Sequence, residues 1–174
     1  MLLRKDNILI VGAGNMGFAF LSALLDSKIN PKQINIIDKN PTAKLKKISK
    51  AKKINLFKSI DELNINTKIS ITLLSIKPNQ LDSIFTEDFN NKTKNSILIS
   101  IVAGKTMSTL KKLSYSNKNI ARAMTNTPVT VGWGTSIVFF SKTTTSKNKD
   151  KTTYLLDLVG QVDEVKNEKY IDSF

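Results

Sequence analysis

Cysteine and histidine are both absent from this sequence of 174 residues. Without cysteine the chain has no disulfide framework, no thiol nucleophile and no thiolate metal site. Without histidine it lacks the commonest general acid or base, the central member of a Ser-His-Asp triad and the usual zinc ligand. These two absences exclude several hydrolase classes, and we predict no metal site.

Arginine is nearly as scarce, because Arg4 and Arg122 are the only arginines among 27 cationic residues. The formal net charge is nevertheless +13, and such a balance can indicate nucleic acid or an anionic membrane as a partner. Proteins that read base edges favour the bidentate fork of arginine, whereas lysine gives a diffuse attraction to phosphate. Lysine combined with abundant isoleucine and asparagine is also typical of AT-rich coding. We therefore interpret most of the charge as a solvated surface and predict no specific nucleic-acid partner.

Long apolar runs are missing too, since no stretch approaches the roughly 20 residues that a membrane helix needs. The first residues, Met1–Asp6, lead directly into a strand-like run and do not resemble a signal peptide. We expect no membrane partner and a cytoplasmic location. The hydrophobic fraction of 40% favours a folded domain over a disordered chain.

Short apolar runs alternate with segments of helical periodicity along most of the chain. The predicted strands are Asn7–Val11, Ile34–Ile37, Ile54–Phe57, Ile69–Ile76, Ser96–Val102 and Asn119–Met124. Helices are predicted over residues 18–28, from Asn40-Pro41 onward, as a single turn over Ile60–Leu63, from Pro78 to Phe85 and from Thr106 to Leu113. This alternation predicts an α/β fold with a mainly parallel sheet and helices on both faces.

The last part of the chain is less regular. The β-branched and aromatic run Thr135–Phe140 predicts a strand, and the polar stretch Ser141–Thr152 predicts a surface loop. Apolar spacing in Tyr154–Val159 predicts a helix, and Gln161–Val165 predicts a final strand.

The sequence Gly12-Ala13-Gly14-Asn15-Met16-Gly17 lies between the first predicted strand and the first predicted helix, which is the context of a dinucleotide-binding loop. In such a loop Gly12 allows a tight turn, Gly14 lets the backbone approach a pyrophosphate, and Gly17 permits close packing of helix on strand. The helix N-terminus adds unpaired amides and the positive end of a dipole. We predict a doubly wound Rossmann-type sheet; the alternative is a tight glycine turn without a ligand.

Asp38 ends the second predicted strand, where a carboxylate can accept hydrogen bonds from ribose hydroxyls. This acid favours NAD, because it would repel a 2′-phosphate, whereas Lys39, Asn40 and the lysine-rich segment behind them favour NADP. Our hypothesis is that the pocket accepts NAD and NADP, with NADP slightly favoured. The lysine-rich segment contains Lys44, Lys46, Lys47, Lys50, Lys52 and Lys53.

Three further segments follow predicted strands at the edge where open α/β sheets bind ligands: Ser75–Gln80, Ser100–Thr106 and Arg122–Pro128. With the glycine loop they resemble the pyrroline-5-carboxylate reductase family, which reads G-x-G-x-M-G, V-K-P, S-x-x-A-G-x-T and R-x-M-x-N-T-P in this order. Residues 160–165 and 170–174 are similar to the family's next segment, G-x-x-x-E-V followed by a long helix. The resemblance covers nearly the whole chain, and R-x-M-x-N-T-P is its most specific part.

The resemblance implies an NAD(P)H-dependent oxidoreductase that reduces the cyclic imine 1-pyrroline-5-carboxylate to L-proline, the last step of proline biosynthesis. It implies that Asn126, Thr127 and Pro128 form the floor on which substrate meets the nicotinamide, and it names no certain catalytic acid. The glycine loop, Asp38 and the resemblance together predict a set of cofactor-binding residues. They are Gly12, Ala13, Gly14, Asn15, Met16, Gly17, Asp38, Lys39, Asn40, Asn55, Ile76, Lys77, Pro78 and Ala103. Among these, Pro78 could only start a helix, Lys77 could be a surface lysine, and Ala103-Gly104 could be a plain turn.

The missing histidine is consistent with this chemistry. An imine can enter as its protonated iminium, which is already electrophilic, so the protein mainly has to position the reactants. A 2-hydroxy-acid dehydrogenase usually needs a histidine or lysine as acid or base, so this class is less favoured, although Lys77 keeps it open.

Family members continue into an all-helical domain that builds a homo-oligomer and contacts the substrate. We therefore expect residues 1–166 to form a dinucleotide-binding domain and residues 167–174 to begin a truncated helix. The chain would then be the cofactor-binding half, either monomeric or in need of a partner. The alternatives are a non-catalytic NAD(P)-binding module or inactive remnant and, less favoured, a basic nucleic-acid binder.

Overall fold

A computed structural model gives the fold, and it describes residues 3–64, 66–115, 117–126 and 134–174. The described residues form an eight-stranded sheet with the order β3-β2-β1-β4-β5-β6-β7-β8. The strands are β1 (Asn7–Val11), β2 (Ile34–Ile37), β3 (Asn55–Phe57), β4 (Ile69–Leu74), β5 (Ile97–Ser100), β6 (Ile120–Thr125), β7 (Gly134–Phe140) and β8 (Gly160–Glu164).

The first six strands are parallel, so their carboxyl ends lie at one edge of the sheet. Strand β7 is antiparallel to β6, and β8 is parallel to β7. Val11 at the end of β1 is paired with Ile37 of β2 on one side and with Leu74 of β4 on the other. The strand order therefore reverses at β1, and this topological switch point is where ligands bind in open α/β sheets. The predicted doubly wound, mainly parallel sheet is confirmed.

The α-helices are α1 (Asn15–Asp26), α2 (Ala43–Lys52), α3 (Leu81–Ile84), α4 (Glu87–Thr93), α5 (Met107–Leu113) and α6 (Ser146–Asp157). Short 3-10 helices cover Pro31–Gln33, Ile60–Glu62, Pro78–Gln80 and Glu168–Ser173. Threonine hydroxyls accept a backbone amide at the N-termini of α2, α4, α5 and α6, which satisfies one of the otherwise unpaired donors of each helix. The N-cap of α1 is Gly14, which has no side chain to do this.

The sheet separates two apolar cores, because alternate residues of each strand face opposite sides. Ile8 and Ile10 of β1 pack with Phe20 of α1 and Leu155 of α6 in one core. On the other face, residues of β1 and β4 pack with residues of α4 and α5, including Leu9, Leu74, Phe89 and Leu110. Helices therefore cover both faces, as the alternation predicts.

Two sequence predictions of secondary structure are wrong. The stretch Ser141–Thr152 was expected to be a surface loop, but α6 begins at Ser146. Thr145 caps this helix by accepting the amide of Asn148, and one of its polar residues is not at the surface: Lys151 is buried, with its Nζ 2.5 Å from Asp6 Oδ1. Helix α4 was not predicted, since Phe89 is its one large apolar residue.

Several boundaries also shift. Helix α2 starts at Ala43 and not at Pro41, because Thr42 is its N-cap. The strand predicted over Ile69–Ile76 ends at Leu74. Where we expected the start of a long helix, the structure has the 3-10 helix Glu168–Ser173. No helix in the described part of the chain is long and apolar enough to cross a membrane.

Candidate functional site

The loop between β1 and α1 lies at the switch point of the sheet and is tied to both neighbouring strands. The amide of Gly12 donates to the carbonyl oxygen of Ile37 at the end of β2, at 2.8 Å. The amide of Ser75, directly after β4, donates to the carbonyl oxygen of Val11 at 2.9 Å. The loop is therefore held between β2 and β4 before it enters α1.

The fold constrains the three glycine positions of this loop differently. Gly12 has a φ of +83°, and a Cβ there would lie 2.6 Å from Ile76 Cγ2. A Cβ on Gly17 would lie 2.1 Å from the carbonyl oxygen of Gly12. A Cβ on Gly14 would meet nothing within 4 Å. The fold therefore requires glycine at positions 12 and 17, but not at position 14.

The open space at Gly14 lies at the N-terminus of α1. The first amides of a helix have no acceptor within the helix, and the helix dipole makes this end partially positive. Gly14 is exposed, and it precedes Asn15 and Met16 in the first turn. A dinucleotide's diphosphate needs bare amides and close backbone approach, so this part of the loop fits such a group.

Asp38 binds backbone amides on both sides of the crevice. Its Oδ2 accepts from the amide of Ala13 at 2.8 Å, and its Oδ1 accepts from the amide of Asn40 at 2.9 Å. The carboxylate thus joins the end of β2 to the glycine loop and to the turn before α2. Sequence reasoning identified Asp38 as a ribose contact but gave no sign of these two bonds.

Cationic side chains surround the same end of β2. Lys39 is exposed, and Lys44 Nζ lies 4.4 Å from the ring centroid of Phe18 in α1. All the lysines of the predicted lysine-rich segment are exposed: Lys44, Lys46, Lys47, Lys50, Lys52 and Lys53. The first turn of α2 therefore brings positive charge towards α1, beside Asp38 and Asn40.

The segment after β4 supplies the other wall of the crevice. The hydroxyl of Ser75 donates to the carbonyl oxygen of Gly12 at 2.5 Å. Ile76 is half-buried and packs against the core on the α4–α5 side, while Lys77 and Pro78 are exposed. The sequence analysis placed Ser75 in the segment Ser75–Gln80, which also overlaps the end of the strand predicted over Ile69–Ile76, but gave it no role of its own.

Two further predicted residues also lie at the carboxyl edge. Ala103 is exposed in the turn between β5 and α5, followed by Gly104 at a φ of +67°. Asn126 follows β6, and its Oδ1 accepts from the amide of Thr135 at 2.8 Å. Thr127 and Pro128 lie outside the described residues.

The structure does not bring the Asn55 side chain to this edge. Asn55 begins β3, and its amide group donates to the carbonyl oxygen of Lys32 at 3.0 Å and to Asn35 Oδ1 at 3.1 Å. Both partners belong to the chain at the start of β2. The Asn55 side chain is therefore engaged at the amino ends of the strands, opposite to the glycine loop.

Arg122, the first residue of R-x-M-x-N-T-P, is turned away from the crevice. It is 1% exposed, and its Nη1 lies 2.8 Å from Glu168 Oε1, while Nη2 donates to Asp172. Glu168 Oε1 also accepts from the amide of Met107, the first residue of α5, at 2.6 Å. The guanidinium thus fixes the C-terminal 3-10 helix against β6 and α5.

This ion pair shifts both ionisation equilibria. The hydrogen bond from Arg122 lowers the pKa of the Asp172 carboxyl below its ordinary value of 3.8. Burial alone would lower the pKa of Arg122, but the hydrogen bonds to Asp172 and Glu168 outweigh it and raise that pKa. Sequence motifs singled out Arg122 but carried no signal for its acidic partners.

Curated relatives of the chain include proteins named pyrroline-5-carboxylate reductase. The protein of this name from Staphylococcus aureus (strain COL) is 28% identical over 162 residues, which are 92% of this chain and 59% of that protein. The one from Haemophilus influenzae is 32% identical over 161 residues, or 89% of this chain and 55% of that protein. The chain thus spans less than two thirds of the length of these relatives, and the resemblance that its motifs indicate is confirmed.

Solved structures share the fold. A pyrroline-5-carboxylate reductase from Coxiella burnetii superposes with a TM-score of 0.85 at 24% identity, over 96% of this chain and 61% of that one. The family model described as NADP oxidoreductase, coenzyme F420-dependent, matches residues 7–104, which include the glycine loop, Asp38 and the turn after β5. Because this match covers more than half of the chain, the protein belongs to that family of oxidoreductases.

Proposed function

We propose that the chain holds the diphosphate of NAD(P)H at the N-terminus of α1 and is the cofactor-binding part of a pyrroline-5-carboxylate reductase. The observation that carries this proposal is the open, exposed backbone at Gly14, at the point where the strand order reverses. Gly12 and Gly17 are required by packing, but packing gives no reason for glycine at position 14. A bound phosphate group would supply that reason.

The proposed pocket follows the carboxyl edge of the sheet. Amides of the glycine loop would face the diphosphate, and Lys39 and Asn40 would face the adenosine ribose. Ile76, Lys77, Pro78 and Ala103 would line the nicotinamide half, with Asn126, Thr127 and Pro128 as the floor for the substrate. The side chain of Asn55 contributes nothing to this pocket, because its amide is bonded at the opposite edge.

The cofactor would be NADP or NAD, with NADP favoured by the lysines beside β2. Lys39 and Lys44 lie near the end of this strand without an acidic partner among the described residues, so they can meet a 2′-phosphate. The carboxylate of Asp38 does not have to oppose this phosphate, because its two oxygens are engaged by the backbone amides of Ala13 and Asn40. Both cofactors would therefore bind.

When bound, the reduced nicotinamide would supply a hydride to the C=N bond of the substrate. The chain contains no histidine, and an iminium substrate needs no strong acid from the protein. The residues along the edge would orient the reactants and exclude water from them. The proposed reaction is reduction of 1-pyrroline-5-carboxylate to L-proline.

A non-catalytic NAD(P)-binding module is the second candidate, because the family model matches residues 7–104, which include the glycine loop and Asp38 but not the proposed substrate floor at Asn126. The test measures NADPH binding by fluorescence and proline formation from 1-pyrroline-5-carboxylate. Two samples are compared: the chain alone, and the chain mixed with the C-terminal part of the Staphylococcus aureus relative. We expect both samples to bind NADPH and the mixture to form proline.

Binding without proline formation in either sample would favour the non-catalytic module. Absence of NADPH binding would contradict both candidates. Protein containing Asp61→Asn, a change of an exposed carboxylate away from the crevice, serves as a control for handling and folding.

A further inference from the structure

The peptide unit between Gly12 and Ala13 is held from two strands at once. Its carbonyl oxygen, on Gly12, accepts from the hydroxyl of Ser75 at 2.5 Å. Its amide, on Ala13, donates to Asp38 Oδ2 at 2.8 Å. Ser75 follows β4 and Asp38 follows β2, the two neighbours of β1 in the sheet. The plane of this peptide is therefore fixed from both sides of the switch point.

We propose that Asp38 and Ser75 are positioning residues that clamp the Gly12–Ala13 peptide and thereby aim the amides of the α1 N-terminus at the cofactor diphosphate. The inference rests on the proposed cofactor site. It gives Asp38 a role other than reading the ribose, and it gives a role to Ser75, which the sequence motifs left without one.

Position along the chain supports the clamp. The fixed peptide directly precedes Gly14, whose open backbone begins the proposed phosphate cradle. The next peptide, which carries the amide of Gly14, is joined to this plane at the Ala13 Cα, so with the Gly12–Ala13 plane fixed only φ and ψ of Ala13 set its direction. Gly12 sits at a φ of +83°, a region that glycine enters without steric cost and also leaves easily. Such a position needs outside contacts to hold one orientation.

The hydrogen bonds of Asp38 distinguish a residue that holds the loop from one that recognises the ribose. Each carboxylate oxygen already accepts one backbone amide, from Ala13 and from Asn40. A carboxylate that bonds mainly to amides of its own chain affects the affinities for NADH and NADPH equally, because both cofactors would use the same loop. A carboxylate that reads the ribose would instead distinguish NADH from NADPH, because the 2′-phosphate replaces one hydroxyl.

The test compares the dissociation constants of NADH and NADPH in Asp38→Ala, Ser75→Ala and the double variant. For a clamp, each single change weakens both cofactors by the same factor, about tenfold, equivalent to about 1.4 kcal/mol. The double variant should lose clearly less than the product of the two factors, since either change alone frees the same peptide. Asp38→Asn keeps one acceptor oxygen and should restore part of the loss.

Other outcomes overturn the clamp. Stronger NADPH and weaker NADH binding in Asp38→Ala would show that Asp38 reads the ribose. Unchanged affinities at a temperature where the variants are folded would show that the two residues only stabilise the fold. Fully multiplicative losses would show that they act on separate structures.

A measurement without cofactor keeps the clamp separate from the proposed function. Hydrogen exchange of the Ala13 amide should accelerate in Asp38→Ala and in Ser75→Ala, while core amides such as that of Ile10 keep their protection. If the wild-type chain bound neither cofactor, the proposed function would fail, and unchanged exchange at Ala13 would independently overturn the clamp.

Discussion

The guanidinium of Arg122 lies 2.8 Å from the carboxylate of Glu168, a residue that also accepts the first amide of α5. One carboxylate therefore joins three parts of the chain: β6, α5 and the C-terminal 3-10 helix. Because Arg122 is buried, its charge needs these partners in the folded state. Arg122 supports the architecture around the proposed pocket and does not line it.

Replacing Arg122 by methionine should destabilise the chain strongly. The change removes the hydrogen bonds that fix the last helix, while the two carboxylates it leaves are partly exposed to water, so we expect a loss of about 2 kcal/mol. Urea unfolding monitored by circular dichroism measures it. As a control, Lys149→Met breaks the exposed pair of Lys149 with Glu164 and should change stability by about 0.5 kcal/mol or less. Equal effects of the two changes would contradict the role of Arg122.

The contribution of Asp172 should depend on pH. Its pKa is lowered in the folded state, chiefly by the hydrogen bond from Arg122, so the unfolded chain binds this proton at a higher pH than the folded chain does. The stabilisation is therefore fully present above the ordinary pKa of 3.8 and is lost as the pH falls through the lowered folded value. Asp172→Asn should be less stable than wild type at neutral pH, and the two curves should converge in acid. A difference that persists unchanged into strong acid would contradict this assignment.

Substitutions at Gly14 and Gly17 should separate the effect on cofactor binding from the effect on stability. Gly14→Val should fold, with a cost of about 1 kcal/mol at the helix N-cap, because a Cβ at this position meets no atom within 4 Å. It should nevertheless abolish NADPH binding by blocking the approach of the phosphates. Gly17→Ala places a Cβ against the carbonyl oxygen of Gly12 and should cost about 3 kcal/mol of stability. Thermal melts and a cofactor titration separate the two effects, and retained NADPH affinity in folded Gly14→Val would count against the site.

Removing lysines beside β2 should weaken the binding of NADPH more than the binding of NADH. We expect Lys39→Ala and Lys44→Ala each to weaken NADPH about tenfold, as the loss of a charged contact to the 2′-phosphate does, and to leave NADH nearly unchanged. Lys52→Ala removes the same charge at the far end of α2 and serves as the control for general electrostatic attraction. Isothermal titration with both cofactors gives the ratio of the NADPH and NADH dissociation constants for each variant. An equal loss in Lys52→Ala would show that only the overall positive charge matters.

Local patterns in the sequence predicted much of the fold. The strands β1, β2 and β4 are short apolar runs, and the glycines between β1 and α1 predicted the tight turn that joins these two elements. Only the last turn of helix α6 was predicted, from the apolar spacing in Tyr154–Val159, because the first part of the helix is polar and its buried Lys151 contacts Asp6 far along the chain. Helix α4 contains buried Asn90 and Thr93, whose hydrogen bonds to Leu113 and Phe89 replace the apolar stripe that a pattern search needs.

In the proposed site, too, some features could be predicted from local sequence and others could not. Glycine spacing and the acid after β2 are local features, so Gly12–Gly17 and Asp38 were identified from sequence. The partners of Asp38 and the bond from Ser75 to Gly12 depend on how three strands align, which no local pattern contains. The same applies to Arg122, whose acidic partners lie near the end of the chain.

The proposed function requires that the cofactor diphosphate binds the bare amides at the start of α1. Two-dimensional amide NMR of the isotope-labelled chain during an NADPH titration tests it most directly. We expect the signals of Gly14, Asn15 and Met16 to move saturably with NADPH and with NADH, and the signal of Lys52 to stay in place. Binding that leaves the Gly14–Met16 signals unmoved, or that shifts only the lysines of α2, would contradict it.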